Sequence, residues 1–538
     1  MAMRDSIRWN PPAALTRAEQ RICSRLTRTG RFFRFLRLHR HELLSEAFQA
    51  TLAEMYAEDY EPGRPPVPPG LLVLVTLLQA YTGASDADAV HNALFDARWQ
   101  MVLNCFGCES AGRDGEGKAP FSQGLLAAFR FRLIRADMDR ELIRRTVELA
   151  KETKDFGFKG LKVALDSAPI WGAGRVEDTF NLIGHGLMVC VACAADVEDL
   201  VLDQVIEAAG LTVVGGSSVK ARLDIDWDDA GAKKGALERL LQDVERFIAW
   251  RGARPTRTGK DEEQARLQAA VDQLVRLVRQ DIEPDPNGGQ RIIDGTAPDR
   301  QISISDRQMR HGRKSKSTPI NGYKGHIGYE LEHNLILDAV VTPANVKEHD
   351  GGDQMRQNIE HYGHVEAMYI DRGYLAANWI ADLHHQGIPI LSKPWNQSNR
   401  GLFPKSAFQI DLQARQVRCP GGDIEAIPER ADSTGRRQIR FENCATCVLR
   451  DKCTTSERGR SVVLHHDEDL LQVLQDRKRT PEGRAELRRR TAIEHCLAHV
   501  LVYQPHEARY LGTRKNTLGL RRAAAVVNLQ AIDEARVA

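Results

Sequence analysis

The chain has 538 residues and a mass of 60.2 kDa, which is more than one hydrophobic core usually supports, so about two to four domains are expected. Its 42% hydrophobic and 28% charged residues are close to globular averages, which excludes a fibrous or wholly disordered chain. The longest strongly apolar run, Leu71 to Leu78, is far shorter than the roughly 20 residues that cross a bilayer, so we expect a soluble cytoplasmic protein whose ten cysteines are thiols or metal ligands.

The net charge of +2 hides three basic segments. Residues 1–40 contain ten arginines against two acidic side chains, residues 300–324 contain seven basic side chains against Asp306, and residues 484–522 contain nine against three glutamates. Such segments bind a phosphate backbone, because each neutralised phosphate releases counterions. A solvated face is the alternative for any one segment. Three of them together favour a nucleic-acid partner.

Two helical regions, residues 15–60 and 70–150, are predicted at the N-terminal end from apolar spacing such as Leu125, Phe129 and Leu133. The segment between them breaks any helix and predicts a linker or a sharp turn, because it contains Pro62, Pro65, Pro66, Pro68 and Pro69.

Beyond Phe158 the pattern changes to strands that alternate with helices, which indicates a mixed α/β core with inserted blocks. The predicted strands are Leu161–Asp166, Leu187–Cys193, Gly322–Tyr329, Leu335–Val341, Val365–Asp371 and Ile388–Leu391, with a turn at Glu332–Asn334. Helices are predicted at 233–280 as a packed hairpin, after Asp371 as far as His385, and at 483–502 and 516–535; residues 396–475 are predicted to be irregular.

Three carboxylates are candidate site residues: two end apolar strands, where solvation is poor, and one lies in a helix. Asp166 and Asp371 each end an apolar strand, where a helix cap or an ion pair is the ordinary explanation. Glu494 lies one helical turn after Arg490, which is compatible with a surface ion pair of a few tenths of a kcal/mol. The alternative is a site in which three carboxylates hold two Mg²⁺ ions about 4 Å apart for in-line phosphoryl transfer.

Several motifs carry a family resemblance: Leu-Asp166-Ser-Ala-Pro-Ile-Trp-Gly, the basic run at 310–317, Asn-Gly-Tyr-Lys-Gly-His-Ile at 321–327, Tyr-Ile-Asp371-Arg-Gly-Tyr, and Arg490 four residues before Glu494. In order and spacing they resemble the DDE transposases of bacterial insertion sequences. The resemblance is greatest to the branch with a helical N-terminal domain and a cysteine-bearing insertion before the glutamate.

The resemblance implies an RNase H-like core in which Asp166, Asp371 and Glu494 are the catalytic residues and bind Mg²⁺ or Mn²⁺. It also implies cleavage of double-stranded DNA at terminal inverted repeats, followed by attack of a freed 3′-hydroxyl on target DNA, in a homodimer or larger complex on the nucleoid. The expected DNA-binding side chains are Arg310, His311, Arg313, Lys314, Lys316, Lys324, Arg490, Arg509, Arg514 and Lys515.

Four domains follow from this interpretation. A helical domain at 1–155 binds DNA ends and contributes to dimerisation. The first part of the core spans 156–395 and contains a helical insertion at about 200–300. A cysteine-bearing insertion spans 396–475, and the C-terminal helices at 476–538 complete the core.

The sequence departs from the family near the glutamate. Many relatives have a tyrosine three residues before the arginine and a lysine seven residues after the glutamate, where this chain has Leu487 and Leu501. Arg509, Arg514 and Lys515 are candidates to supply the missing positive charge.

The cysteine-bearing insertion contains four thiols, at Cys419, Cys444, Cys447 and Cys453. Four thiolates suit a tetrahedral structural Zn²⁺ ion that would cross-link a loop-rich segment. Because the insertion contains only one CxxC pair, Cys444 and Cys447, reduced free thiols and an iron–sulfur cluster remain alternatives.

The sequence therefore predicts a DNA transposase. Two rival hypotheses are a transposase-derived DNA-binding protein that no longer cuts, and an RNase H-like nuclease that hydrolyses strands without joining them.

Overall fold

The computed structural model describes residues 7–56, 66–111, 115, 117–153, 160–215, 218–314, 317–395 and 398–537. The predicted linker prolines Pro62 and Pro65, the predicted boundary at 155/156, and Lys316 lie outside the described residues.

The N-terminal part is helical, as predicted. Its α-helices are α1 (Arg17–Arg25), α2 (Arg31–Leu43), α3 (Glu46–Glu54), α4 (Pro69–Thr82), α5 (Asp86–Phe95), α6 (Ala97–Leu103), α7 (Gln123–Arg135) and α8 (Met138–Glu152). Helix α4 is the centre of this bundle, because every residue from Pro69 to Ala80 is buried. It begins with Pro69 in the first turn and ends at Gly83, whose φ of 74° is the left-handed conformation of a helix C-terminus.

Part of the predicted N-terminal basic surface is internal. Arg37 and Arg40 are each 1% exposed. Arg37 pairs with the carboxylate of Glu19 at 2.6 Å, and Arg40 donates to the backbone carbonyls of Met101 and Val102 at 3.2 and 2.9 Å. These two arginines form contacts inside the bundle, so neither side chain is available to bind a phosphate.

A six-stranded mixed sheet lies at the centre of the second half of the fold and confirms the predicted mixed α/β fold class. Its strands are β1 (Leu161–Trp171), β4 (Arg310–Arg313), β5 (Pro319–Glu330), β6 (Leu335–Pro343), β7 (Val365–Ile370) and β8 (Ile390–Leu391). The order is β4-β5-β1-β7-β8, and β6 pairs with β5. β5 is antiparallel to β1, β4 and β6, whereas β7 is parallel to both β1 and β8. Helix α14 (Glu348–Glu360) packs on β5 and β6, and α15 (Asn378–His385) packs on α14 and β8.

A helical block separates β1 from β4. It contains α9 (Thr179–Glu198), α10 (Leu202–Ala208), α11 (Val219–Leu223), α12 (Ala230–Gly252) and α13 (Asp261–Asp281), followed by the short hairpin of β2 (Ile282–Pro284) and β3 (Gln290–Ile292). Helices α12 and α13 cover the region 233–280 that was predicted to be a packed hairpin, and both pack on α9.

The prediction of a strand at Leu187–Cys193 is wrong, because this run lies inside the 20-residue helix α9. A short apolar run does not by itself distinguish a strand from a buried helix. The missed signal was the helix cap at Asp178, whose Oδ1 accepts the N–H groups of Phe180 and Asn181. Helix α9 is also long and apolar enough to cross a membrane by length and composition, but 61% of its apolar window is buried in the protein. Its buried side chains form one hydrophobic cluster with α12 and α13.

The prediction that residues 396–475 are irregular is wrong, because the segment contains short strands. β9 (Gln409–Asp411), β10 (Gln416–Arg418) and β11 (Ile424–Ala426) form one sheet, while β12 (Arg437–Arg440) and β13 (Ser461–Leu464) form a second. The short helix α16 (Arg450–Cys453) lies between β12 and β13. Strands of three or four residues are too short for an alternating pattern to be visible in the sequence.

Four helices end the chain: α17 (Glu468–Arg479), α18 (Pro481–Arg488), α19 (Thr491–Tyr503) and α20 (Thr513–Val537). Helix α20 joins the N-terminal bundle to the sheet, because Leu518, Val526 and Leu529 pack in the bundle cluster whereas Leu520 and Ala523 pack in the sheet cluster. Most buried apolar residues of the described chain belong to four clusters: the bundle, the sheet, the helical block and the segment 403–464.

Candidate active site

Strand register brings two of the predicted carboxylates together. Leu165 in β1 pairs with Ile370 in the parallel strand β7, so Asp166 and Asp371 are the next residues on two adjacent strands that run in the same direction. Asp371 immediately follows the last residue of β7 and leads into a short 3-10 turn at Arg372–Tyr374. The two carboxylates therefore lie side by side at the edge of the sheet where β7 ends, and the prediction that β1 also ends at Asp166 is wrong, because β1 continues to Trp171.

Helix α19 brings the third carboxylate to this edge. Its buried residues Ile493, Leu497 and Val500 belong to the sheet cluster, which leaves Glu494 on the other face of the helix. Arg490 lies at the start of the helix and contacts both sides of the site. Its Nη1 is 3.4 Å from Oδ2 of Asp166, and its Nη2 donates to Oε1 of Glu494.

The electrostatics at Asp166 are unusual for an aspartate. Its pKa is raised to about 6, mainly by burial and also by the neighbouring charges of Asp371 and Glu494, while the N–H of Ser167 and the guanidinium of Arg490 oppose the rise. Like charges at close range disfavour a second negative charge unless a cation balances them. The site is thus a cluster of three carboxylates with one fixed counter-charge.

This donor set fits hard divalent cations. Mg²⁺ and Mn²⁺ prefer carboxylate oxygens and keep open positions for water and phosphate. The ligand atoms of the three carboxylates do not all lie within 4.8 Å of one another. Among the described residues, that spacing is met only by His465, His466 and Asp467, next to α17.

A fourth carboxylate, missed in the sequence, contacts the same site. Glu348, the first residue of α14, accepts a hydrogen bond from Ser167 Oγ at 2.9 Å. Beside it, Tyr374 OH lies 2.8 Å from Nδ1 of the buried His326, whose Nε2 lies 3.0 Å from Thr342 Oγ1. The signal in the sequence was weak, because Glu348 lies five residues after the end of β6, whereas Asp371 follows β7 directly.

Several predicted DNA-binding side chains are engaged within the protein. Arg310 pairs with Asp299 at 2.7 Å, Arg514 donates to Asp139 at 2.8 Å, and Arg509 donates to the carbonyl of Gly83. These contacts balance the charge of Arg310 and Arg514, whereas the carbonyl of Gly83 leaves the charge of Arg509 in place.

Three further predicted DNA-binding side chains reach solvent. Arg313, Lys314 and Lys515 are exposed. Arg313, His311 and Lys324 line one cleft of about 570 Å³. His311 Nδ1 lies 2.7 Å from Asn321 Oδ1, and Lys324 donates to the carbonyl of Val346 at 2.8 Å. Lys324 pairs with Pro169 across β5 and β1, which places this cleft three residues along β1 from Asp166.

The four predicted zinc cysteines line one cavity of about 280 Å³. The backbone N–H of Arg460 donates to Cys444 Sγ at 3.3 Å, and burial raises the pKa of Cys453. No three of the four sulfur atoms come within 4.8 Å of one another in this described segment, so zinc at these cysteines stays a prediction.

The two leucines that replace the family's tyrosine and lysine have structural roles. Leu487 is buried in the sheet cluster and Leu501 packs against it. Neither side chain could bind a phosphate, which leaves Arg490 as the basic side chain in contact with the carboxylates.

The sequence was compared with protein-family models, with curated proteins and with solved structures, and one family model matches. A family model described as Transposase DDE domain matches residues 220–529. The match includes Asp371 and Glu494 but begins after β1, so Asp166 is placed beside them by strand pairing and not by the match. No curated protein and no solved structure matches the chain significantly. Because the family model spans more than half of the 538 residues, the chain belongs to the DDE transposase domain family, whose activity is phosphoryl transfer on DNA.

Proposed function

We propose that this protein is the transposase of an insertion sequence, which cuts DNA at terminal inverted repeats and joins the freed 3′-hydroxyl to target DNA. The observation that carries the proposal is the pairing of Leu165 with Ile370, which sets Asp166 beside Asp371, with Arg490 linking Asp166 to Glu494. Three carboxylates at one sheet edge are more than a helix cap or a single ion pair requires.

In this proposal the three carboxylates hold the divalent cations. Bound Mg²⁺ would stabilise the attacking and leaving oxygens of an in-line displacement. Arg490 would orient the DNA, because its guanidinium faces Asp166 and Glu494 and has donors left for a phosphate oxygen. The elevated pKa of Asp166, about 6, means that cation binding and loss of its proton are coupled.

The nuclease hypothesis requires the same carboxylates, so metal-dependent cutting does not separate it from the transposase. A pre-cut DNA end with a free 3′-hydroxyl distinguishes the two hypotheses, because only a transposase joins that end to a second DNA molecule. A non-catalytic DNA-binding protein would give neither cut nor joined product.

We further infer that DNA reaches the carboxylates along the cleft lined by His311, Arg313 and Lys324. If Arg313 neutralises one phosphate, Arg313→Ala should lower the slope of log K against log salt by about 0.9. Arg276→Ala, which removes an exposed arginine from α13, is the matched control and should leave the slope unchanged. An unchanged slope for Arg313→Ala would remove this residue from the DNA path.

The domain roles belong to the same proposal. The bundle within residues 1–155 would bind the inverted repeats and help to form a homodimer or larger complex, and the protein would act on the nucleoid in the cytoplasm. Helix α20 would couple the bundle to the sheet, because its residues pack in both hydrophobic clusters.

We also infer that Cys419, Cys444, Cys447 and Cys453 close on one structural Zn²⁺ ion. The support is that all four line a single cavity in a segment with a small hydrophobic cluster. Metal analysis of the purified protein should give one zinc per chain, and Cys447→Ser should lose it, whereas Cys193→Ser in α9 should not. Protein that carries no zinc, or iron in its place, would contradict this inference.

A further inference from the structure

Glu348 is the first residue of α14 and contacts both β1, which carries Asp166, and the turn that follows Asp371. Its Oε1 accepts the hydroxyl of Ser167, the residue that follows Asp166 in β1. Its other oxygen lies against Gly373, in the turn that follows Asp371, so closely that the Cβ of any larger residue at position 373 would overlap it. One carboxylate therefore touches the residue after Asp166 and the turn after Asp371.

A buried polar chain continues from this contact into the sheet. The phenol of Tyr374 interacts with the Ser167 hydroxyl and lies 2.8 Å from Nδ1 of His326. His326 is fully buried between Tyr374 and Thr342, and burial lowers its pKa to about 3, so it is neutral at physiological pH. Fully partnered buried polar networks hold their members in one arrangement.

The first turn of α14 has little room to move relative to the polar chain. A side chain at Gly351 would collide with the ring of His326, and one at Gly352 would press on the ring of Tyr374. The first turn of α14 is thus packed directly against the polar chain, which fixes where Glu348 can place its carboxylate.

We propose that Glu348 is a positioning residue that fixes the separation of Asp166 and Asp371 through Ser167 and the Gly373 turn, and so pre-forms their cation site. This inference rests on the proposed function, since it assumes that Asp166 and Asp371 bind the cations. Residues that orient metal ligands typically contribute 10- to 100-fold to metal affinity.

The test measures Mn²⁺ binding to the full chain by electron paramagnetic resonance, which needs no DNA and no catalysis. Glu348→Ala should weaken Mn²⁺ binding by about 10- to 100-fold. Ser167→Ala should weaken it as well, and the double variant should be no weaker than Glu348→Ala, because both changes break one link. Glu348→Gln keeps an oxygen acceptor for Ser167 and should bind Mn²⁺ more tightly than Glu348→Ala.

The matched control is Asp350→Ala, which removes an exposed carboxylate two residues away and should bind Mn²⁺ as wild type does. Thermal unfolding without metal shows whether Glu348→Ala remains folded. If Glu348→Ala is unfolded, Glu348→Gln is measured in its place and should bind Mn²⁺ more weakly than wild type. Equal Mn²⁺ affinity in wild type and folded Glu348→Ala, or additive losses in the double variant, would overturn this inference. Wild-type protein that binds no Mn²⁺ would instead overturn the proposed function.

Discussion

Asp371→Ala is expected to lower the rate of Mg²⁺-dependent nicking of an element-end oligonucleotide by about a thousandfold or more. The physical reason is that a bound cation contributes several kcal/mol to a phosphoryl-transfer transition state, and about 1.4 kcal/mol corresponds to a factor of ten. Asp371 follows β7 next to Asp166, so its loss removes a ligand without removing a buried contact of the sheet. DNA binding, which depends on basic side chains elsewhere, should be nearly unchanged.

The control for this variant is Asp203→Ala, which removes an exposed carboxylate from the first turn of α10, in the helical block. It should cut at the wild-type rate. Gel shift at fixed salt measures binding, and denaturing gels measure nicking. Equal nicking by wild type and Asp371→Ala would refute the assignment of Asp371 as a metal ligand.

Arg521→Met is expected to lower the free energy of unfolding by about 3–5 kcal/mol, the usual consequence of removing one partner of a buried ion pair. Arg521 is 2% exposed, and its guanidinium lies 3.0 Å from Asp139 of α8 and 3.6 Å from Asp338 of β6. Both aspartates are buried, so the variant leaves two carboxylates with fewer partners. Arg514→Met should cost less, because Arg514 is 36% exposed and water can replace it.

The loss in Arg521→Met should shrink as the pH falls. Burial raises the pKa of Asp338, and Arg521 and Arg140 oppose that rise. Without Arg521 the pKa of Asp338 in the folded protein rises further above its unfolded value, so protonation at acid pH removes a buried charge and recovers stability. Denaturant midpoints of wild type and variant at pH 7 and pH 5 measure this; a constant difference would exclude the effect.

The sequence predicted the carboxylates because each lies in a local motif. Asp371 ends an apolar run, and Glu494 follows Arg490 by one helical turn, so a short stretch of sequence was enough to single out each carboxylate. The mixed α/β class followed from the alternation of strands and helices, and the helical character of the N-terminal part followed from apolar periodicity.

What the sequence did not reveal depends on contacts between distant residues. Glu348 meets Ser167 only because α14, which follows β6 in the chain, begins beside β1. Arg310 and Arg514 were expected to bind DNA, but their charges are balanced by Asp299 and Asp139. The sequence shows that these side chains are charged but not which acidic residue pairs with each of them. The strand predicted at Leu187–Cys193 is wrong for a different reason, since a buried helix and a buried strand share the same apolar composition.

The most direct measurement of the central claim is a strand-transfer assay with DNA from the sequence that flanks the reading frame. A labelled oligonucleotide that ends in a pre-cut inverted repeat with a free 3′-hydroxyl is incubated with target plasmid, Mg²⁺ and the full chain. The proposed function predicts labelled joined product for wild type and none for Asp371→Ala. Hydrolysed ends without joined product, or equal product from wild type and Asp371→Ala, would contradict it.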